Sequence, residues 1–416
     1  MKKLITHLCI VIFACGFGLG QVKETVLHTF SDADGDLPYG GLTFDSAGNI
    51  YGVTDSGGTY NSGTVFELSP SSGGGWTFKS LYSFTGGLDG YQPNGNLAID
   101  SAGNLYGTTV WNGQYQSGTV FELTPSSEGE WTETTIYAFG SLQADGQEPR
   151  TGLVFDAAGN LYGTTSSGTA GNCESGCGNV FELTNSHGVW NETILYNFAG
   201  GSDGYRPWGG RLALDDQGRL FGTTALGGGL GCQSNGCGIV YVLTPSAGGV
   251  WSEAVLHSFN GNDGAEPLSG VVLDQSGNLY GTTVLGGLVP CPQTNTEGCG
   301  IVFRLAASRS GGWAFSDLHV FKGIASGDGS NPVGGVVVDR DGRLFGATPG
   351  GGASDTGGVV YELQKHGTGV KESLFDFTQQ SEGLAPNYVS MDGAGHLYGN
   401  FGNSSSGYGA VFELLP

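Results

Sequence analysis

The sequence is short of charge, and above all of positive charge. Asp, Glu, Lys and Arg make up 13% of 416 residues, and 15 basic residues against 38 acidic ones leave a net charge of −23. No basic patch can form on such a chain, which excludes nucleic acid and an anionic membrane surface as partners. Long hydrophobic runs are missing too. Beyond residue 20, no segment approaches the roughly 18 apolar residues of a membrane span. No helical hydrophobic period appears after that point either. Zinc-protease and phosphate-loop patterns are not expected, nor is a G-x-S-x-G nucleophile elbow. Glycine, by contrast, is abundant at 80 residues, with 14 prolines. Disorder would follow from that composition alone, but 11% aromatic residues supply apolar material to bury. The glycines are therefore read as punctuation of tight turns.

The N-terminus reads Met1-Lys2-Lys3, followed by a largely apolar run to Leu19. This is the layout of a secretory signal over residues 1–20, with cleavage before Gln21. A lipoprotein reading through Cys15 is set aside because Phe13 fits it poorly. No C-terminal anchor is visible, so the expectation is an exported monomer: secreted, periplasmic or outer-surface. The six later cysteines fall in close pairs, Cys173/Cys177, Cys232/Cys237 and Cys291/Cys299. Each pair lacks nearby His or a second cysteine pair, so local disulfides are expected rather than zinc.

Internal repetition decides the fold class. The phrase G-N-L-Y-G-T-T recurs with its aromatic at Tyr51, Tyr106, Tyr162, Phe221, Tyr280, Phe345 and Tyr398, at spacings of 53 to 65 residues. Four strand-like segments surround each aromatic: G-L-x-x-D, N-L-Y-G-T-T, G-T-V-F-E-L and W-x-x-x-x-L-Y-x-F. A D-x-x-G turn joins the first two. Four antiparallel strands repeated seven times predict an all-β, seven-bladed β-propeller filling residues 21–416 as a single domain. The units are 31–84, 85–139, 140–198, 199–259, 260–321, 322–377 and 378–416 plus 21–30. The chain starts with a lone fourth-type strand and stops after a third-type one, so the N-terminal strand should close the last blade.

Strand alternation puts the D-x-x-G turns below the ring. The variable loops lie above, with a second repeated element, D-G-x-x-P, from Asp34, Asp89, Asp145, Asp203, Asp263 and Asp328, and Glu382 in the last unit. Its acids read as turn residues or, more sharply, as a carboxylate ring for Ca²⁺, with Asp32, Asp34 and Asp36 the densest cluster. Five tryptophans keep the fourth-strand position, whereas Trp111 and Trp208 break the pattern and map above. With Tyr115, Tyr205, Tyr388, Arg150, Arg206 and Arg211 they form the candidate ligand-binding set. Aromatics amid amides suit sugar stacking, and arginines suit a ligand carboxylate. His28, His257 and His319 take the Tyr place of L-Y-x-F and read as packing substitutes. The third-strand glutamate is replaced by Val242 and Arg304 in two blades, which suits a solvated position. No catalytic residue is assigned.

The combination of D-G-x-x-P, G-L-x-x-D-x-x-G-N-L-Y-G-T-T, G-T-V-F-E-L and L-Y-x-F resembles the bacterial GloVer tandem-repeat proteins, from Val22 to Leu414. That resemblance implies an exported or surface protein and carries no activity or catalytic residue to transfer. The inner-strand phrase is also similar to propellers of the NHL and lactonase type, whose channel metal needs unlike residues. Here the inner-strand positions are nearly uniform. The leading expectation is a binding module for a glycan or cell-surface polymer on the upper face. One alternative is a lyase, lactonase or glycan-cleaving enzyme at the channel mouth near Asp145, Arg150, Asp203, Arg211 and Tyr388. Another is a structural envelope protein.

Overall fold

The structure is a computed structural model that describes residues 22–415 except 142–144, 169–172, 174, 230, 233–234, 289–290, 292–297, 309–311, 353–356, 364–370, 378–382 and 405–406. The leader, Cys15 and Glu382 lie outside the described residues.

Each repeat folds into one four-stranded antiparallel blade. Blade one runs Thr43–Phe44, Ile50–Thr54, Thr64–Pro70 and Trp76–Ser83, paired in chain order. Its second strand is buried at every residue, because neighbouring blades cover both faces. Its fourth strand alternates between half-buried and exposed over Trp76–Lys79, as a strand with one face on solvent does. Seven such sheets form the propeller. In the seventh, the N-terminal strand Lys23–Thr29 pairs with Ala410–Leu415 as the outermost strand, so the two chain ends close the ring.

Aromatic packing holds adjacent blades together. The Phe of each L-Y-x-F packs edge-to-face on the third-strand aromatic of the next blade. The seven pairs are Phe30–Phe66, Phe84–Phe121, Phe139–Phe181, Phe198–Tyr241, Phe259–Phe303, Phe321–Tyr361 and Phe377–Phe412, at 5.0 to 5.3 Å between centroids. Such contacts contribute roughly 0.5–1.5 kcal/mol each beyond burial. The glycine of L-Y-G-T-T makes room for the same ring: a Cβ on Gly52 would lie 2.5 Å from Phe66 Cζ. In blades four and six tyrosine stands at the third-strand position, and the hydroxyls of Tyr241 and Tyr361 are buried without a partner.

D-G-x-x-P is the stitch between blades. Its acid accepts a hydrogen bond from the preceding L-Y-x-F residue: Tyr82 to Asp89 at 3.0 Å, Tyr137 to Asp145 at 3.2 Å and Tyr196 to Asp203 at 2.6 Å. His28 and His319 make the same link to Asp34 and Asp328, at 3.2 and 3.1 Å, and His257 Nε2 stands 3.2 Å from Asp263 without a hydrogen bond of good geometry. His28 and His319 therefore do more than pack: each replaces the tyrosine hydroxyl with a ring nitrogen. The residue before each proline has positive φ in all seven blades, from 55° at Leu37 to 60° at Ala385. This bend aims its N–H at the loop of the preceding blade, as in Glu148 N to Ser117 O at 3.0 Å. Non-glycine residues hold this conformation only where the surroundings enforce it.

The D-x-x-G turn is also self-contained. Asp45 Oδ1 accepts the N–H groups of Ala47 and Asn49 at 2.9 Å, and Oδ2 accepts Tyr51 Oη at 3.1 Å. The third-strand glutamate is not simply solvated. Tyr106 Oη donates to Glu122 at 2.8 Å and Tyr162 Oη to Glu182 at 2.9 Å. Blade four loses both halves of this pair together, carrying Phe221 opposite Val242. The three disulfides form as expected, Cys173–Cys177, Cys232–Cys237 and Cys291–Cys299. Bonds of this kind belong to oxidising compartments outside the cytoplasm. Among the described residues, no helix is long and apolar enough to cross a membrane.

Candidate functional site at the channel mouth

The residue that follows each D-G-x-x-P proline starts the inner strand and faces the axis. The seven are Tyr39, Asn94, Arg150, Trp208, Leu268, Val333 and Asn387, and all line one cavity of about 260 Å³ at the upper mouth of the channel. In a chain otherwise so repetitive, this ring holds six residue types in seven positions. The expectation of uniform inner-strand positions rested on the strand interior. The asymmetry sits one step earlier, at its upper end.

Arg150 organises one side of the mouth. Its guanidinium carbon lies 4.6 Å from the Trp208 ring centroid and 5.4 Å from that of Trp111. Its Nε and Nη2 donate to Glu148 Oε2 at 3.2 and 3.0 Å. Arg206 stands over Trp208 at 5.2 Å. Cation–π stacking of this kind holds a guanidinium flat while leaving N–H groups for another partner. Behind Asn94 lies Asp55, which accepts from Gln92 Nε2 at 2.9 Å. Burial pushes the Asp55 carboxyl above its ordinary value, opposed by hydrogen bonds from Gln92 and Asn94 and by the Arg150 charge. Burial, with Asp55 and Asp36, likewise raises Tyr39. Sequence reasoning missed Asp55. It is the one acid at its place after the second-strand threonine, where other blades carry Val110, Ser166, Ala225, Val284 or Pro349.

Below the mouth the channel continues as a cavity of about 640 Å³. Apolar side chains such as Val154, Phe155, Leu214, Val272, Val337 and Met391 line it, and Arg211, Asn96, Tyr388 and Ser390 interrupt them. Two irregularities of length put Arg211 and Tyr388 there. From the proline to the first buried apolar residue of the inner strand the count is four in five blades, five in blade four and three in blade seven. Arg211 is the inserted residue of blade four. Water reaches it along the channel, so its surface is exposed. The ring of strands encloses it nonetheless, and that burial lowers its pKa. Burial raises Tyr388.

Of the candidate set, Trp111, Arg150, Arg206 and Trp208 come together at the mouth, and Arg211 and Tyr388 join in the channel beneath. Tyr115 lies apart, in a rim groove with Tyr82, Leu88 and Glu133. Tyr205 packs against the interblade core that contains Cys177, Phe198 and Tyr241. Asp145 and Asp203 serve their own loops and line neither channel cavity. The Asp32, Asp34 and Asp36 cluster does not converge. Asp34 accepts from Ser31 and His28, and Asp36 from Ser56. No group of three metal-ligating side chains occurs among the described residues. One G-x-S-x-G string does occur, Gly200 to Gly204, but it forms a short 3₁₀ turn at a blade stitch instead of a strand-to-helix elbow. The signal that would have found the mouth residues was in the sequence: variation immediately after an otherwise repeated proline.

Comparison with known proteins agrees with this architecture. The model of the Gloeobacter/Verrucomicrobia repeat matches residues 11–234 and 230–416, so the chain belongs to that repeat family. No curated protein matches it. Among solved structures, virginiamycin B lyase from Staphylococcus aureus is similar at TM-score 0.54 and 14% identity, over 95% of this chain and 99% of that one. PorZ, a surface component of the type-IX secretion system of Porphyromonas gingivalis, is similar at TM-score 0.53 and 16% identity, over 93% of this chain and 47% of that one. Likeness at these identities establishes the propeller fold alone.

Proposed function

We propose that this member of the Gloeobacter/Verrucomicrobia repeat family is an exported binding protein whose channel mouth takes one ligand, a saccharide of a cell-surface or extracellular polymer. The observation that carries the reading is the ring of unlike residues at the mouth, with Arg150 stacked on Trp111 and Trp208. A structural or multivalent propeller can keep seven equal positions, whereas a single-ligand site needs different groups around one axis. Both indoles are half-buried, which leaves ring surface for the apolar face of a sugar.

The test is a glycan-array screen of the purified protein, with and without calcium, beside Trp111→Ala and Trp208→Ala. Binding of one sugar class that both variants lose supports the reading. Unchanged affinity in both variants refutes it. The same asymmetry favours a second reading, an enzyme at the mouth. Turnover in lactonase, lyase or glycoside-hydrolase panels without stable glycan binding would establish that reading instead.

A further inference from the structure

In this acidic chain the two channel cavities carry no acidic side chain in their lining. The chain carries 38 acidic residues, yet none lines the mouth or the cavity beneath it, while Arg150 and Arg211 do. Arg150 has Glu148 as its ion pair. Arg211 has no hydrogen bond or ion pair among the described residues. Its guanidinium cannot shed its charge, so the fold presents a water-reached cation inside the ring whose N–H groups, without a partner among the described residues, stay available to a ligand. Asn96 and Tyr388 share the cavity with Arg211, and their side chains make no hydrogen bond among the described residues either. Ser390 Oγ accepts the Leu42 N–H at 2.9 Å, which leaves its own hydrogen to donate. The insertion that creates Arg211 interrupts an otherwise regular strand start, so packing of the blade does not require it.

We infer that the channel beneath the mouth is an anion site, in which Arg211 binds a carboxylate group with Asn96, Tyr388 and Ser390 as further donors. Low-dielectric walls of Val154, Phe155, Leu214 and Val272 strengthen such a pair and focus the field of the cation on the axis. The carboxylate arrives either on a small free acid or on a uronic acid residue of a saccharide held at the mouth. Only the second source rests on the saccharide reading.

Isothermal titration calorimetry of the purified protein with D-galacturonate, D-galactose and acetate tests the site, beside Arg211→Gln and Arg150→Gln. Wild type should prefer galacturonate to galactose by about tenfold, the scale of one charge-assisted hydrogen-bonded pair. Arg211→Gln should abolish that preference. Acetate binding that depends on Arg211 assigns the site to small free carboxylates, and galacturonate binding without acetate binding assigns it to the sugar-borne group. Thermal melting of ligand-free Arg211→Gln separates a ligand role from a structural one. Removing an unpaired cation should leave the melting temperature unchanged or raise it, and a lower value overturns the proposal. Galacturonate preference that survives in Arg211→Gln but disappears in Arg150→Gln overturns the channel site and leaves the mouth reading standing. Equal or absent binding of all three probes in wild type also overturns it.

Discussion

Three outer-strand glutamates should make this protein less stable as the pH rises toward neutrality. Glu133, Glu192 and Glu253 are half-buried. Burial, with repulsion from Asp89, Asp145 and Asp203, pushes each carboxyl from the ordinary 4.5 up to about 7. The folded chain therefore holds protons that the unfolded chain has released between about pH 4.5 and 7, and stability falls as pH rises through that window. A displacement of that size corresponds to about 3 kcal/mol per fully enclosed group. Solvent screening of half-exposed side chains reduces it to roughly 1 kcal/mol each, or roughly 3 kcal/mol for the set. The assay is urea unfolding from pH 5 to 8, followed by tryptophan fluorescence, on wild type and on Glu133→Gln/Glu192→Gln/Glu253→Gln. Glutamine does not titrate, so the stability of the variant relative to wild type should grow by roughly 3 kcal/mol across the range. Burial holds His28 below its ordinary value, but His28 is present in both proteins and its contribution cancels in the difference. A pH-independent difference, or one of opposite slope, would refute the reasoning.

Other outcomes follow from the repeat chemistry. Tyr241→Phe and Tyr361→Phe each remove a buried, unpartnered hydroxyl and restore the residue most blades use. Each should raise stability by about 1 kcal/mol in denaturant melts. Gly118→Ala should destabilise by roughly 2–4 kcal/mol, because at φ +96° its Cβ would lie 2.5 Å from Thr109 O and 2.6 Å from Pro149 Cδ. The matched Phe221/Val242 pair predicts coupling: Tyr106→Phe and Glu122→Val together should cost about 1 kcal/mol less than the sum of the single changes in a double-mutant cycle.

The architecture was legible because it is written seven times. Period-two strands, D-x-x-G turns and the offset of the chain ends each follow from local chemistry, and repetition turns a weak local signal into a fold. The three cysteine pairs were legible for the same reason, since each closes its loop within one blade. The stitch role of the D-G-x-x-P acids was half visible. The turn could be read, but the tyrosine or histidine that bonds each acid comes from the preceding strand, and only pairing across a blade boundary reveals it.

The site was legible only in fragments. Trp111, Arg150, Arg206 and Trp208 stood out because they break the repeat, and the structure stacks them. Tyr115 and Tyr205 broke it equally and went elsewhere. Whether a loop residue faces the axis, the rim or the core depends on where the blade places it, and composition does not encode that. Arg211 and Tyr388 reach the channel through a one-residue insertion and a one-residue deletion at the start of two inner strands. By itself the sequence determined the propeller, its closure and its disulfides, because those depend on neighbours along the chain and on exact repetition. The tertiary structure alone decided which seven residues, of six types, share one mouth, and that the channel beneath holds a cation without a partner among the described residues. Those facts arise from seven strand ends, far apart in sequence, converging on one axis.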